Sequence, residues 1–401
     1  MNCFIASDAK FVRNAQGKPA SVYQSYERAW KRYLDIFESV TILGRLFPQQ
    51  QDPAAEPVEG LGVRFVALPG YTGVGQLIRN LYKFRKHLRE CCNDSSAYIL
   101  RSPGAVSSLV YRFGINGGQP YGVEVLNDPV EIMAPGVSRH PFRPFWKWWY
   151  PRQLREQCRY ACAASYVTDG ILQKRYPCRG FSIEASNVDL EDDDFVTDPR
   201  RDIQLKESIN VITIASLDML NKGQDVLLQA IAECRHRNRD VRLVVVGDGT
   251  FRHRLESLAQ NLGISQAVRF CGQMPSGPGI HHELDQADLF ALPSRYDGLP
   301  CALIEAMARA VPCIGANVGG VPELLPPQDM VEPGDVASLA TKIVEVGTSP
   351  KRLAWMSARN LDRAQKFNRK VLREKRKRFY QEVCYTTEEW LRTQMRKQGT
   401  Y

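Results

Sequence analysis

Short apolar runs, separated by longer amphipathic stretches, recur from one end of the chain to the other. In the first half Cys3–Ala6, Ser39–Leu43, Val63–Leu68, Ala97–Leu100, Tyr121–Leu126 and Tyr166–Thr168 read as strands. Between them Tyr23–Phe37 and Gln76–Cys91 read as helices, the second with Leu77, Leu81, Phe84 and Leu88 on one face. Arg152–Ala164 reads as a third helix. The second half alternates more cleanly. Strands are expected at Asn210–Ala215, Val241–Val246, Ala267–Phe270, Ala287–Ser294 and Pro312–Ala316. Helices are expected at Gly223–Arg235, with Val226, Leu227, Ala230 and Ile231 inward, and at Phe251–Leu262. Such alternation predicts α/β layers built on mainly parallel sheets. The acidic run Asp189–Asp194 is too polar for a core and marks a boundary region.

One unit carries more chemistry than the rest. The strand ending near Pro293-Ser294 is followed by Asp297-Gly298-Leu299-Pro300 and then by the helix-forming Ala302–Arg309. Gly298 permits a tight turn, and Pro300 suits a first helical turn, where its missing N–H needs no partner. Asp297 then precedes a helix whose open amides face a ligand, with Glu305 about two turns along. Three further loops follow strands: Lys222-Gly223, Gly247-Asp248-Gly249 and Gly319-Gly320-Val321-Pro322-Glu323. Open α/β sheets bind ligands at these strand ends, and helix amides with a lysine suit phosphate. A polar ligand bearing hydroxyls and phosphate is the expectation.

Length changes this picture by adding a second domain, since 401 residues exceed one ordinary core. Apolar residues make up 44% and charged residues 24%, the balance of a soluble globular chain. Met1–Asp8 lacks a basic region before an apolar one, so no signal peptide is expected, and no apolar stretch reaches membrane-spanning length. Eleven scattered cysteines without zinc-site spacing predict neither a disulfide scaffold nor a metal site and fit a reducing cytoplasm. The net charge of +9 calls for an anionic partner or serves solubility alone. No nucleic-acid recognition motif is present, so no nucleic acid is expected. Arg139–Arg152 interleaves Phe142, Phe145, Trp146, Trp148, Trp149 and Tyr150 with basic groups. It reads either as an anchor on an anionic membrane surface or as an aromatic connection packed against its own domain.

The second-half motifs carry a family resemblance. Ile214-Ala215-Ser216-Leu217, Asn221-Lys222-Gly223, Val245-Val246-Gly247-Asp248-Gly249, Val268–Gly272, Pro293–Pro300 with Glu305-Ala306-Met307-Ala308, and Gly319–Glu323 resemble the retaining, nucleotide-sugar-dependent glycosyltransferases of family 4. The resemblance is specific over about Asn210–Leu325. It implies the GT-B fold: two Rossmann-like α/β/α domains facing across a cleft. Residues 1–190 would form the acceptor-binding domain and 191–365 the donor-binding domain. Residues 366–401 would be a basic helical segment returning to the first. Asp297, Lys222 and Glu305 would be catalytic. Glu305 would meet the ribose hydroxyls, Asp297 the transferred sugar and Lys222 the diphosphate. Ser216, Gly223, Gly247, Asp248, Gly249, Arg295, Gly298, Leu299 and Pro300 would complete the site for a UDP- or GDP-sugar, with no metal or other cofactor. Two positions depart from the pattern. Ser216 stands where the family has a diphosphate-binding arginine, which Arg295 could replace unless it faces solvent. Asp297 stands where the family usually has glutamate.

On the acceptor side, Gly17 in Asn14–Pro19 is read either as a mobile lid or as a surface turn. Arg101 and Ser102 follow one strand, and Glu124, Asn127 and Asp128 end another, as acceptor contacts. His140 is given no catalytic role. The resemblance implies a glycan or polyprenyl-linked oligosaccharide acceptor in polysaccharide or lipopolysaccharide synthesis. The setting would be cytoplasmic, with the inner membrane face as a candidate attachment surface. Three alternatives stay open: a soluble acceptor, a nucleotide-sugar-binding module without turnover, and a related GT-B nucleotide-sugar enzyme.

Overall fold

The computed structural model describes the chain except residues 23, 52–54, 72, 93–94, 116, 134–141, 205 and 399–401. It divides into two units. Unit 1 comprises Met1–Pro129, Phe145–Ala185 and Arg373–Tyr401, and unit 2 comprises Val130–Pro144 and Ser186–Leu372.

Unit 1 contains β1 (Asn2–Arg13), β2 (Pro19–Ser21), β3 (Ser39–Gln51), β4 (Glu56–Pro57), β5 (Val63–Leu68), β6 (Ala97–Ser102), β7 (Gly122–Val125), β8 (Ala163–Tyr166) and β9 (Phe181–Glu184). The parallel order is β5-β3-β1-β6-β7-β8-β9, with β2 and β4 added antiparallel. Cys3, Ile5, Val40, Ile42 and Ile99 bury one sheet face under Trp30, Tyr33 and Phe37, joined by Phe379 and Val383 of the last helix, Arg369–Gln398. The expected helix Tyr23–Phe37 is instead a π turn, Tyr26–Trp30, followed by a 3-10 turn, Lys31–Asp35. Trp30, Tyr33 and Phe37 are wholly or almost wholly buried, and Trp30 Nε1 donates to Gln24 O at 2.7 Å.

Two other boundaries shift for local reasons. The strand expected at Tyr166–Thr168 lies at Ala163–Tyr166, because Thr168 Oγ1 accepts the Leu172 amide at 3.1 Å and starts the next helix. The helix expected from Arg152 begins at Arg143 and takes in the aromatic stretch, with Pro151 inside it.

Unit 2 contains β10 (Ile209–Ile214), β11 (Val241–Val246), β12 (Val268–Gly272), β13 (Leu289–Leu292), β14 (Cys313–Ala316) and β15 (Met330–Val331). All pairings are parallel, in the order β12-β11-β10-β13-β14-β15. Val211, Leu227, Ile231, Leu243, Val245, Leu289 and Ile343 share its core. Burying each such side chain stabilises the unit by about 1.5–3 kcal/mol, which explains the near-continuous apolar strands.

The acidic run is not a free solvated turn. Asp189 accepts both Arg369 Nε and Nη2 at 2.7 Å, and Asn368 Nδ2 donates to Asp192 at 2.9 Å. Lys370 pairs with Asp192 and holds its carboxyl below the ordinary range. These bonds seat the start of the last helix in unit 2. From Arg373, which pairs with Asp35 at 2.7 Å, that helix belongs to unit 1. In each sheet the order reverses once, between β1 and β6 and between β10 and β13, where doubly wound sheets bind ligands.

Candidate functional site

At the unit 2 reversal, Lys222 closes a 3-10 turn, Leu220–Lys222, after β10. Gly223 follows with φ 73°, and a Cβ there would lie 2.0 Å from Pro293 O, so only glycine lets this turn reach the loop after β13. Arg295 N completes the junction by donating to Asn221 O at 2.7 Å. The result is an ion pair: Lys222 Nζ stands 2.5 Å from Asp297 Oδ2. Asp297 keeps 8% of its side chain exposed and Lys222 26%, so the ammonium retains an open side. Ser294 Oγ donates to the same carboxylate at 3.4 Å.

Arg295 neither faces solvent nor offers a free charge. It binds Asp225 through two bonds of 2.7 and 2.8 Å and donates to Leu220 O at 2.6 Å. Its work is to pin the Lys222 turn. Ser216 Oγ accepts the Asp218 amide at 3.2 Å, while its carbonyl accepts Gln224 Nε2 at 2.9 Å. Asp218 also accepts the Thr250 amide at 3.3 Å. The Ser216 loop is therefore ordered by a carboxylate in place of a second cation.

The glycines after β11 serve a close backbone approach. A Cβ at Gly247 would meet Ala215 O at 2.0 Å, and one at Gly249 would meet Asp218 N at 2.3 Å. Asp248 accepts the Gly249 amide and Arg252 Nη1, each at 2.8 Å. Those bonds, the amide first, hold its carboxyl below the usual range. Gly319 has φ 50° and its Cβ would lie 1.6 Å from Asp297 O, while Gly320 N donates to Gly298 O at 2.6 Å. The Gly319-Gly320 loop thus braces the backbone that carries Asp297, and the Gly247–Gly249 loop braces the Ser216 loop.

The helix Cys301–Ala308 starts one residue later than expected, with Pro300 as its cap residue and no side chain capping it. Leu303, Ile304, Ala306 and Met307 are buried, as is Leu299 just before the helix. Cys301, Ala302 and Glu305 form its half-open face, at helical spacing. Glu305 therefore lies one turn into the helix that Asp297 precedes.

Two residues here escaped sequence reading. Glu131, in Pro129–Ile132, has Oε2 3.2 Å from the position of a Gly319 Cβ. Burial pushes its carboxyl up, the Gly319 amide opposes that, and Asp297 adds to it. It stands three residues past Asp128, in the same loop after β7. Tyr296, beside Asp297, has its phenol raised by burial, with Lys222 opposing and Asp297 adding to the shift.

The acceptor-side set behaves differently. Asn14–Lys18 is a tight hairpin: Asn14 Oδ1 accepts the amides of Gln16 and Lys18 at 3.0 Å, and Gly17 supplies φ 74°. Gly17 is thus a turn residue joining β1 to β2. Arg101 and Glu124 are buried partners at 3.1 Å. Glu124 also accepts Tyr33 Oη at 2.8 and 3.0 Å and Tyr380 Oη at 3.4 Å, while Arg101 donates to Gln24 Oε1 at 2.7 Å. Ser102 Oγ donates to Gln157 Oε1 at 2.8 Å, deep in the unit. Asp128 accepts Tyr176 Oη at 2.6 Å and pairs with Arg175. Asn127 is half-buried. Arg101, Ser102, Glu124 and Asp128 are thus members of buried polar networks. His140 lies outside the described residues.

In Arg143–Tyr160, Trp146 meets Trp149 at 5.6 Å and Tyr150 at 5.3 Å. Phe145 and Trp148 are half-exposed, and the Arg152 guanidinium lies 4.4 Å over Trp148. No helix among the described residues is long and apolar enough to cross a membrane.

Two units, each a mainly parallel sheet flanked by helices and reversing its strand order once, define a GT-B fold. Residues 208–348 match the family described as glycosyl transferases group 1. Protein CapJ of Staphylococcus aureus is 24% identical over 79% of this chain and 79% of its own. The GDP-mannose-dependent alpha-(1-6)-phosphatidylinositol monomannoside mannosyltransferase of Mycolicibacterium smegmatis is 30% identical over 42% of this chain, and the match spans 47% of that relative. Sucrose-phosphate synthase from Thermosynechococcus elongatus shares the fold, with TM-score 0.69 and 17% identity over 96% of this chain and 100% of its own. Over residues 208–348 the chain is thus similar to the glycosyl transferases group 1, and nearly its whole length shares the GT-B fold.

Proposed function

We propose that the chain is a retaining hexosyltransferase that moves a sugar from a UDP- or GDP-sugar to a glycan or lipid-linked glycan during polysaccharide synthesis. The observation that carries this reading is the Lys222–Asp297 pair at the reversal between β10 and β13. As the bond from sugar to diphosphate breaks, negative charge grows on the leaving phosphate. A fixed ammonium stabilises that charge without solvent reorganisation. Asp297 holds Lys222 in place before the donor arrives and then faces the transferred sugar. Glu305, on the half-open helix face, accepts the ribose hydroxyls. The GDP-mannose dependence of the mycobacterial relative makes GDP-mannose the first donor to try.

The half-exposed Phe145 and Trp148, flanked by Arg152, support peripheral attachment to an anionic membrane surface in the cytoplasm. Sedimentation with anionic vesicles should therefore fall when Trp146, Trp148 and Trp149 are changed together. A panel of UDP- and GDP-sugars, read by mass spectrometry for hydrolysis and transfer, tests the enzyme itself. One donor should turn over, and Glu305→Ala should weaken its binding. A second reading, binding without turnover, is favoured by the missing cation at Ser216 and the occupied Arg295. Tight donor binding with no turnover under any acceptor condition would select it.

A further inference from the structure

The helix Gly73–Cys91 ends on one cysteine and is followed at once by another. Neighbouring side chains on an α-helix project about 100° apart, so two adjacent sulfurs ordinarily diverge. Here they converge: Cys91 Sγ stands 4.0 Å from Cys92 Sγ, within reach of a thiol hydrogen bond. The backbone holds them there. Cys92 N donates to Leu88 O at 2.9 Å, which closes the last turn, and Cys91 Sγ lies 3.8 Å from the same carbonyl. A Cβ at Gly114 would lie 3.2 Å from Cys92 Sγ, so the glycine leaves that sulfur room.

Both cysteines are half-buried, and neither is in a disulfide. The hydrogen bond from Cys92 holds the Cys91 thiol below its ordinary range. The same bond, and then burial, push Cys92 up, with Tyr98 opposing. One sulfur is thus set as a thiolate and its neighbour as the thiol that supports it. Cysteines deeper in the fold behave otherwise: burial raises the thiols of Cys158 and Cys162 to about 12 and that of Cys234 to about 11. The thiolate is the nucleophile, so those three stay inert.

We propose that Cys91 and Cys92 are a reversible oxidation site, at which a hydroperoxide converts the two thiols into a disulfide between neighbours. This modification is independent of the transferase reading above. The Cys91 sulfur attacks one peroxide oxygen, the O–O bond breaks, and hydroxide leaves to take up the proton that Cys91 released. Cys91 is then a sulfenic acid, oxidised by two electrons. The Cys92 sulfur attacks it, the S–S bond forms, and the hydroxyl leaves as water with the Cys92 proton. Cα atoms across one trans peptide stand about 3.8 Å apart, short of the roughly 4.4–6.8 Å of ordinary disulfides. The closed ring is therefore strained and opens readily to a dithiol reductant. Closing it draws the sulfurs in from 4.0 Å and gives up the Cys92–Leu88 bond that ends the helix.

The test is peroxide titration of the reduced full chain, after which free thiols are blocked and tryptic peptides are weighed. Peptide Glu90–Arg101 should lose two hydrogens, and dithiothreitol should restore them. The peroxide dose should be about tenfold below that which oxidises Cys271 or Cys384, half-buried thiols that burial raises. Dimedone present during oxidation should label Cys91. That label should accumulate in Cys92→Ser, and in Cys91→Ser the remaining Cys92 should stay reduced. Should a serine variant fail to fold, dimedone trapping on the unaltered chain makes the same assignment. The proposal is overturned if the peptide keeps its hydrogens at that dose, by dimedone on Cys92 in place of Cys91, or by a disulfide from either sulfur to any other cysteine.

Discussion

The loops at the unit 2 reversal end in a lysine 2.5 Å from a carboxylate, with the ammonium still partly open. At the corresponding reversal in unit 1, the Asp8 carboxylate takes the Val106 amide at the helix start, and the buried Arg101 is closed onto Glu124. Both sheets are parallel and reverse order once. Strand order therefore places a site in each unit, while a few side chains decide whether it accepts an anion. In unit 2 glycines bring backbone against backbone around Asp297, and charge stays available. In unit 1 the charges of Arg101, Glu124 and Asp128 are spent internally.

Breaking the closed network of unit 1 should have the largest effect. Glu124→Ala leaves Arg101 buried beside two tyrosines without its counter-charge, and should cost about 3–5 kcal/mol of stability. Urea unfolding reads that loss. UDP or GDP affinity of the folded fraction should be unchanged, and a large change there would break the separation drawn between the two reversals. Lys222→Ala should act in the opposite sense, lowering kcat by about 10²–10³ while leaving the unit 1 core intact. An unchanged kcat would remove Lys222 from the site. Arg295→Ala comes next. It frees Asp225 and loosens the turn that presents Lys222, a loss of about 1.5–3 kcal/mol for bonds to a charged group. Its signature is a raised donor KM, and Arg295→Lys should restore little, because one ammonium cannot form the fork.

The parallel strands were legible as short runs rich in β-branched and apolar residues, and Val63–Leu68 and Val241–Val246 match residue for residue although each carries an exposed arginine. Asp297, Lys222 and Gly223 were legible as a strand-loop-helix pattern, although the pairing of Lys222 with Asp297 spans 75 positions. What escaped was partner identity over long separations. Arg295 is as polar in sequence as any solvated arginine, and only folding brings Asp225 to it. Arg101 and Glu124 looked like cleft residues because charge at a strand end reads as exposed. Tyr33 and Tyr380, which satisfy Glu124 from 91 and 256 positions away, carry no local signal. Glu131 and Asp8 were missed for a similar reason. Neither sits in a motif, and each acquires meaning from a glycine, Gly319 or Gly104, that leaves room for its carboxylate.

The smallest expected effect sharpens the comparison most, because it adds to unit 2 the charge that its loop lacks. Ser216→Arg removes two turn hydrogen bonds, the Asp218 amide to Ser216 Oγ and Ser216 Oγ to Asp218 Oδ2, a loss of about 0.5–1.5 kcal/mol each. It sets a guanidinium beside Asp218, which draws off part of the new charge. The net gain in UDP or GDP affinity should thus stay below about tenfold, or 1.4 kcal/mol, and should shrink as salt rises. Adding Asp218→Asn frees the arginine and should enlarge the gain, at some expense in loop order because the Thr250 amide also depends on Asp218. Calorimetric titration of both variants distinguishes the cases. A gain that grows in the double variant puts the diphosphate along the β10 loop beside Lys222. Equal or weaker binding in both would put it elsewhere and leave Lys222 as the site's sole cationic contact to the donor.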